Sequence, residues 1–110
     1  MGPLSGIKII EFAGLGPGPF CGMVLADMGA DVIVIDRIEN YGREKTNDLA
    51  SRGKKSIAVD LKNPDSKELI HELIENADAV LEGLRPGKME KLGYGPDDLL
   101  TVSYTHLRAH

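Results

Sequence analysis

Short apolar runs that alternate with helical segments constrain the fold of this chain more than any other feature. The first two runs are rich in β-branched residues and short enough to form buried strands. Helical patterns follow the first and the third run. This alternation predicts an α/β fold with a parallel sheet, flanking helices and right-handed connections. The predicted strands cover residues 7–12, 31–36, 56–61 and 78–82.

Glycine, proline and asparagine mark where the helices begin and end. A glycine and proline cluster follows the first strand, and Pro19 suits the first turn of a helix that stops at Gly29. Asn63 and Pro64 predict the N-cap and the first position of a second helix. Two further short helices are expected at residues 89–92 and 96–100.

The composition fits one small domain and excludes several classes of protein. A chain of 110 residues can bury a modest core but cannot enclose a large active site. Its net charge of −4 argues against general nucleic-acid binding. There is one cysteine, no secretory signal and no apolar run of about 18 residues. We therefore expect a cytoplasmic protein with no internal disulfide, no metal site and no nucleic-acid or membrane partner.

Residues 37–55 form a basic segment within this acidic chain. The segment carries six cationic and three acidic side chains, whereas acidic residues outnumber basic ones elsewhere. One interpretation is a surface that binds anions. The other is a solvated, flexible loop.

The segments that directly follow the predicted strands are the candidate ligand-binding positions. Open parallel sheets bind ligands beyond the carboxyl ends of their strands. Arg37, Lys62 and Arg85 lie in such segments and suit phosphate groups. The glycines of the first loop do not fit the dinucleotide fingerprint, and Pro17 and Pro19 remove two N–H groups from a phosphate cradle. We therefore expect no NAD site.

Residues 1–101 show no pair of nucleophile and base, no metal set and no acid/base pair. Cys21 has no histidine or second cysteine near it in sequence and fits a buried structural thiol. His71 lies among charged residues, which indicates a solvated side chain on the outer face of its helix. Asp97 and Asp98 follow a proline at a helix start, where they complement the helix dipole. Catalytic groups are therefore expected elsewhere.

Three segments carry a resemblance to a known family. They resemble the N-terminal part of the alpha-methylacyl-CoA racemases, a branch of the family III CoA-transferase superfamily, over nearly all of residues 2–101. The resemblance implies a Rossmann-like parallel sheet that is an incomplete, N-terminal part of the family fold. The segments are GPLSGIKIIEFAGLGPGPFCGMVLADMGADVIVIDR, VDLK and ADAVLEGLRPGKMEKLGYGP.

The resemblance also implies an acyl-CoA substrate, with coenzyme A present only as part of that substrate and no permanently bound cofactor. Arg37 would contact the adenosine part, residues 59–62 would line the nucleotide site, and residues 83–85 would approach the pyrophosphate and pantetheine. Lys91 stands where relatives can place an arginine. The family's catalytic histidine and aspartate lie downstream. The expected CoA-binding residues are Arg37, Val59, Asp60, Leu61, Lys62, Gly83, Leu84, Arg85 and Lys91.

The activity that the resemblance implies belongs to a longer protein. Such a protein would epimerise 2-methylacyl-CoA thioesters in lipid metabolism, by removal and return of the alpha proton, as an interlocked homodimer. One alternative is a CoA transferase that moves CoA between an acyl-CoA and a carboxylic acid. Another is a non-catalytic CoA-binding fragment. We expect the chain by itself to be inactive.

The last nine residues differ in character from the rest. The run VSYTHLRAH resembles a translated sequencing-adapter remnant. We therefore expect residues 1–101 to be the N-terminal CoA-binding portion of a CoA-transferase family III domain, and residues 102–110 to be a non-native tail.

Overall fold

A parallel sheet organises the structure, a computed structural model that describes residues 2–13, 17–37, 51–83, 88–95 and 107–108. Its strand order is β3-β2-β1-β4-β5, and every neighbouring pair is parallel. The predicted parallel α/β fold is therefore confirmed. The strands are β1 (Lys8–Phe12), β2 (Asp31–Arg37), β3 (Lys54–Val59), β4 (Ala79–Glu82) and β5 (Leu107–Arg108).

Three helices flank the sheet in the described part of the chain: α1 (Pro17–Asp27), α2 (Ser66–Glu75) and α3 (Lys88–Leu92). None of them is long and apolar enough to cross a membrane. Helix α1 ends where predicted, because Gly29 adopts a φ of +100°, a conformation that side chains with a Cβ rarely take. The helix predicted at 96–100 lies outside the described residues.

The two faces of the sheet bury two separate cores, because successive side chains of a strand point to opposite faces. On the α1 side, Ile9 of β1 is buried together with the other members of a small cluster. On the opposite side, Ile10 and Phe12 of β1 pack against α2, α3 and the residues after α3. The first core contains Ile9, Ala30, Val32 and Leu81, and the second contains Ile10, Phe12, Ile35, Val59, Ile70, Ile74, Val80, Met89 and Tyr94.

Helix α2 begins two residues later than Pro64, the predicted first position. The Asn63 side chain accepts a hydrogen bond from the Asp65 backbone N–H at 2.9 Å, and the Ser66 N–H donates to the Asn63 carbonyl at 3.1 Å. Asparagine commonly closes a turn in this way. Asn63 therefore closes a turn before the helix, and the residue at the N-cap is Asp65.

Strand β5 adds two residues to the far edge of the sheet. Leu107 pairs with Leu81, and Arg108 pairs with Glu82. These residues belong to the segment that the sequence predicts to be a non-native tail. That origin, and the domain boundary at residue 101, stay predictions.

Candidate functional site at the carboxyl edge of the sheet

The strand order reverses between β1 and β4. Strands β2 and β3 extend the sheet from one side of β1, whereas β4 follows β3 in sequence but lies on the other side. In open α/β sheets, ligands bind at such a reversal, beyond the carboxyl ends of the strands. The segments that follow the strands therefore define the candidate site.

Two cationic side chains lie at the ends of adjacent strands. Arg37 is the last residue of β2 and stands in register with Val59, the last residue of β3. Lys62 follows β3 by three residues, and both cationic residues are exposed. The Arg37 backbone N–H donates a hydrogen bond to the Asp36 carboxylate at 2.7 Å. This corner of the edge offers two positive charges to a ligand.

A hydrogen-bonded loop holds Lys62 in place. The Asp60 side chain accepts from the Lys62 N–H at 3.1 Å, while its carbonyl accepts from the Ser66 hydroxyl at 2.9 Å and from the Asn63 N–H at 3.1 Å. Leu61 is half-buried and packs against the second core. The buried Val59 side chain belongs to that core, so a ligand at this edge would meet its backbone.

Two glycines bring the first turn of α1 close to the end of β4. A Cβ on Gly18 of α1 would lie 3.7 Å from the Gly83 nitrogen, which is ordinary contact distance. The backbone of the first turn of α1 therefore lies against the residue that follows β4. Leu84 and Arg85, the next two predicted CoA contacts, lie outside the described residues.

Tyr94 connects α3 to the start of α2. Its ring is buried, with centroids 5.8 Å from Phe12 and 5.9 Å from His71, the latter edge-on. Its hydroxyl is hydrogen-bonded to Ser66, although burial has the larger effect and raises the pKa of Tyr94. Lys91 lies exposed on α3.

The prediction that His71 is a solvated side chain is wrong. His71 packs edge-on against Tyr94, and its Nε2 atom is buried with no hydrogen-bond partner among the residues that the structure describes. The charged neighbours of His71 in sequence concealed this packing. Leu69, which shares the helical apolar pattern, is instead 48% exposed. Cys21 is half-buried against the first core, which agrees with a structural thiol.

Carboxylates neutralise three cations of the basic segment. Arg52 forms a two-point ion pair with Asp27, and its Nε lies 3.1 Å from Asp27 Oδ1. That hydrogen-bonded pairing lowers the pKa of Asp27 and raises that of Arg52. Lys55 approaches Asp31 at 4.0 Å. Residues 38–50 lie outside the described part of the chain. Among the described cations of the basic segment, Arg37 lies at the candidate site.

The third cation, Lys54, is buried with Glu11. Its Nζ lies 2.8 Å from Glu11 Oε1 and donates to the Pro19 carbonyl at 3.0 Å. A Cβ on Gly22 would lie 1.8 Å from Glu11 Oε1, so the carboxylate occupies space that only glycine leaves. Sequence reasoning missed this pair. Two features of the sequence could have indicated it: a glutamate inside an apolar strand and a glycine inside a helix.

Comparisons with known proteins show the family of this chain. Residues 4–103 match the model of CoA-transferase family III. The chain belongs to CoA-transferase family III. It is 45% identical over 97 residues to alpha-methylacyl-CoA racemase of Mus musculus, across 88% of this chain and 24% of that protein. It is 36% identical over 109 residues to succinyl-CoA--D-citramalate CoA-transferase of Chloroflexus aurantiacus, across 88% of this chain and 27% of that one.

A solved structure supports the family assignment. A crystal structure of a Mycobacterium tuberculosis protein superposes with a TM-score of 0.85 at 39% identity, covering 98% of this chain and 32% of that one. The chain therefore spans about a quarter to a third of the length of these relatives.

Within this family III chain, the structure brings most of the predicted CoA contacts to one edge. Arg37 ends β2 there, residues 60–62 follow β3, and Gly83 follows β4. Lys91 lies on α3, which is tied to α2 through Tyr94. Contact between these residues and CoA stays a prediction. Among the described residues, no group of three His, Cys, Asp or Glu side chains could hold a metal ion.

Proposed function

We propose that this chain is the N-terminal, CoA-binding part of an acyl-CoA racemase that epimerises 2-methylacyl-CoA thioesters. One observation carries the proposal: Arg37 and Lys62 lie exposed at the ends of adjacent strands, in a chain that is 45% identical to an alpha-methylacyl-CoA racemase. Coenzyme A carries its negative charge on the nucleotide end. An arginine can bind a phosphate through two hydrogen bonds and can also stack on a base.

The contact between the first turn of α1 and Gly83 supports a place for the uncharged remainder of CoA beside β4. Gly83 is half-buried and has no side chain, so a ligand can come close to its backbone. Together with the two cations, this arrangement supports a nucleotide end near β2 and β3, and a pantetheine that extends toward β4.

Racemisation needs groups that this part of the protein does not supply. The alpha proton must be removed on one face of the carbon and returned on the other, through an enolate-like intermediate, by two positioned acid/base groups. His71 packs against Tyr94 in the second core and is not assigned this role. We therefore propose that the catalytic pair lies in a longer protein, that this protein is a homodimer, and that the chain alone is inactive. A single cysteine suits a cytoplasmic location.

CoA binding to the chain is the first experiment. Isothermal titration with coenzyme A is expected to show saturable binding that weakens when Arg37 or Lys62 is replaced by alanine. Lys55→Ala is the matched control, because Lys55 is an exposed cation of β3 that faces Asp31 and lies away from the carboxyl end of that strand. Absence of binding, or equal losses in all three variants, would contradict the proposed site.

The reaction itself is tested on a full-length protein with this N-terminal sequence. Such a protein is expected to exchange the alpha proton of a 2-methylacyl-CoA in deuterated water and to interconvert the epimers. The 36% identity to a CoA-transferase favours CoA transfer as the second candidate. Incorporation of a labelled free acid into a new thioester, without alpha exchange, would replace the racemase assignment by the transferase.

A further inference from the structure

We infer that Glu11 and Lys54 form a buried clamp that positions the first turn of α1 for CoA. This inference rests on the proposed CoA site. The clamp contains no catalytic residue. Glu11 and Lys54 act through the backbone of α1, so both are positioning residues.

The clamp joins three elements that are distant in sequence. Lys54 is the first residue of β3, Glu11 lies in β1, and β2 runs between them. The Lys54 ammonium lies 2.8 and 3.1 Å from the two oxygens of Glu11 and donates to the Pro19 carbonyl at 3.0 Å. The side chains are only 4% and 2% exposed. A single ammonium group therefore connects two strands of the sheet to the start of α1.

Stability alone does not explain a buried ion pair at this place. Removing two charges from water costs several kcal/mol for each ion, and well-packed apolar side chains are often at least as stabilising. The pair supplies a directed hydrogen bond to a chosen backbone atom, which apolar side chains cannot supply. That atom, the Pro19 carbonyl, belongs to the turn at the candidate site.

The first turn of α1 has fewer hydrogen-bond donors than an ordinary helix start. Pro17 and Pro19 carry no N–H group, so two of the donors that normally anchor a helix start are missing. The Lys54 ammonium instead holds the turn through a carbonyl. The adjacent Gly18 lies against Gly83, which is a predicted CoA contact. Displacement of Pro19 would therefore move the backbone that lies against Gly83.

The decisive variant replaces both charged residues with apolar residues of similar length, Glu11→Met with Lys54→Met. Since apolar replacement of a buried pair is often neutral, the thermal unfolding midpoint should stay near that of the wild type. Loss of the anchor should raise the Kd for coenzyme A about tenfold in isothermal titration. If this variant does not fold, Glu11→Leu with Lys54→Met is a second apolar version.

Two further variants separate positioning from general structural damage. Glu11→Gln keeps an acceptor for Lys54 and the bond to Pro19, so it should retain the CoA affinity of the wild type. Asp27→Asn with Arg52→Gln removes an ion pair at the opposite end of α1 and should leave that affinity unchanged. Wild-type affinity in the double-methionine variant, or an equal loss in the Asp27 and Arg52 variant, would overturn the inference.

Hydrogen exchange tests the clamp without any ligand. Amides of residues 20–24 should exchange at least several-fold faster in the double-methionine variant, whereas those of α2 should not change. Unchanged exchange at residues 20–24 refutes the clamp. If the wild type binds no CoA while exchange responds as expected, the proposed function fails and the structural role of the clamp stands.

Discussion

Replacing Gly22 with alanine should destabilise the protein by about 2–4 kcal/mol. The added Cβ would lie 1.8 Å from Glu11 Oε1 and 3.0 Å from Lys54 Nζ, so the carboxylate must move. Breaking a buried ion pair costs about 3–5 kcal/mol. Alanine is favoured over glycine in a helix by about 1 kcal/mol, which offsets part of that cost.

Urea unfolding followed by circular dichroism measures this loss. With an m-value of about 2 kcal/mol/M, the midpoint should fall by about 1–2 M while the slope stays constant. The control is the same substitution in a Glu11→Ala, Lys54→Met background, where the new methyl group fills vacated space. There Gly22→Ala should be neutral or stabilising by up to about 1 kcal/mol. An equal loss in both backgrounds would refute the reasoning.

Three other predictions concern separate parts of the molecule. Tyr94→Phe should cost about 0.5–1.5 kcal/mol near neutral pH, because it removes the hydroxyl hydrogen bond. Because burial raises the pKa of Tyr94, the folded state keeps the phenol proton to higher pH than the unfolded chain does, and the stability of the wild type should fall as pH rises past 10.0. In urea titrations over this pH range, the stability difference between the wild type and Tyr94→Phe should therefore shrink. A constant difference would contradict this. Arg37→Ala should raise the Kd for coenzyme A about tenfold and flatten its dependence on salt, as measured by titration at several ionic strengths. Val24→Ser with Met28→Ser, at positions 36% and 43% exposed in α1 and directly after it, should reduce self-association in sedimentation velocity with less than about 0.5 kcal/mol change in stability.

Most of the sheet could be predicted because its strands are short, apolar and β-branched. The predicted segments 7–12, 31–36 and 78–82 agree with β1, β2 and β4 to within one residue at each end. The third strand was placed two residues too late, at 56–61 rather than Lys54–Val59. Lys54 resembles a loop residue in sequence. It begins a strand because its charge is paired inside the fold with Glu11.

The sequence predicts which segments meet at the candidate site, but it does not predict which side chains contact one another there. Parallel strands place Arg37, Lys62 and Gly83 at one edge of the sheet, so the order of strands along the sequence is enough to predict that these residues share an edge. The packing of His71 on Tyr94 depends on where α3 lies against α2, and no periodicity of either segment specifies that. The same holds for the bond from Lys54 to Pro19, which joins residues 35 positions apart.

The central position of β1 has a consequence for biosynthesis. β1 emerges from the ribosome before the other described strands, yet one of its edges pairs with β4, and the Lys8 N–H at its start donates to the Asp78 side chain at 2.8 Å. Until that part of the chain is synthesised, a nascent sheet of β1, β2 and β3 exposes an edge of β1 in addition to the outer edge of β3. Its Ile10 and Phe12 side chains also lack their cover from α2. Such an intermediate is prone to aggregate and is a natural client of chaperones at the ribosome. Although β1 is made before the other described strands, it is thus among the last of them to acquire its complete surroundings.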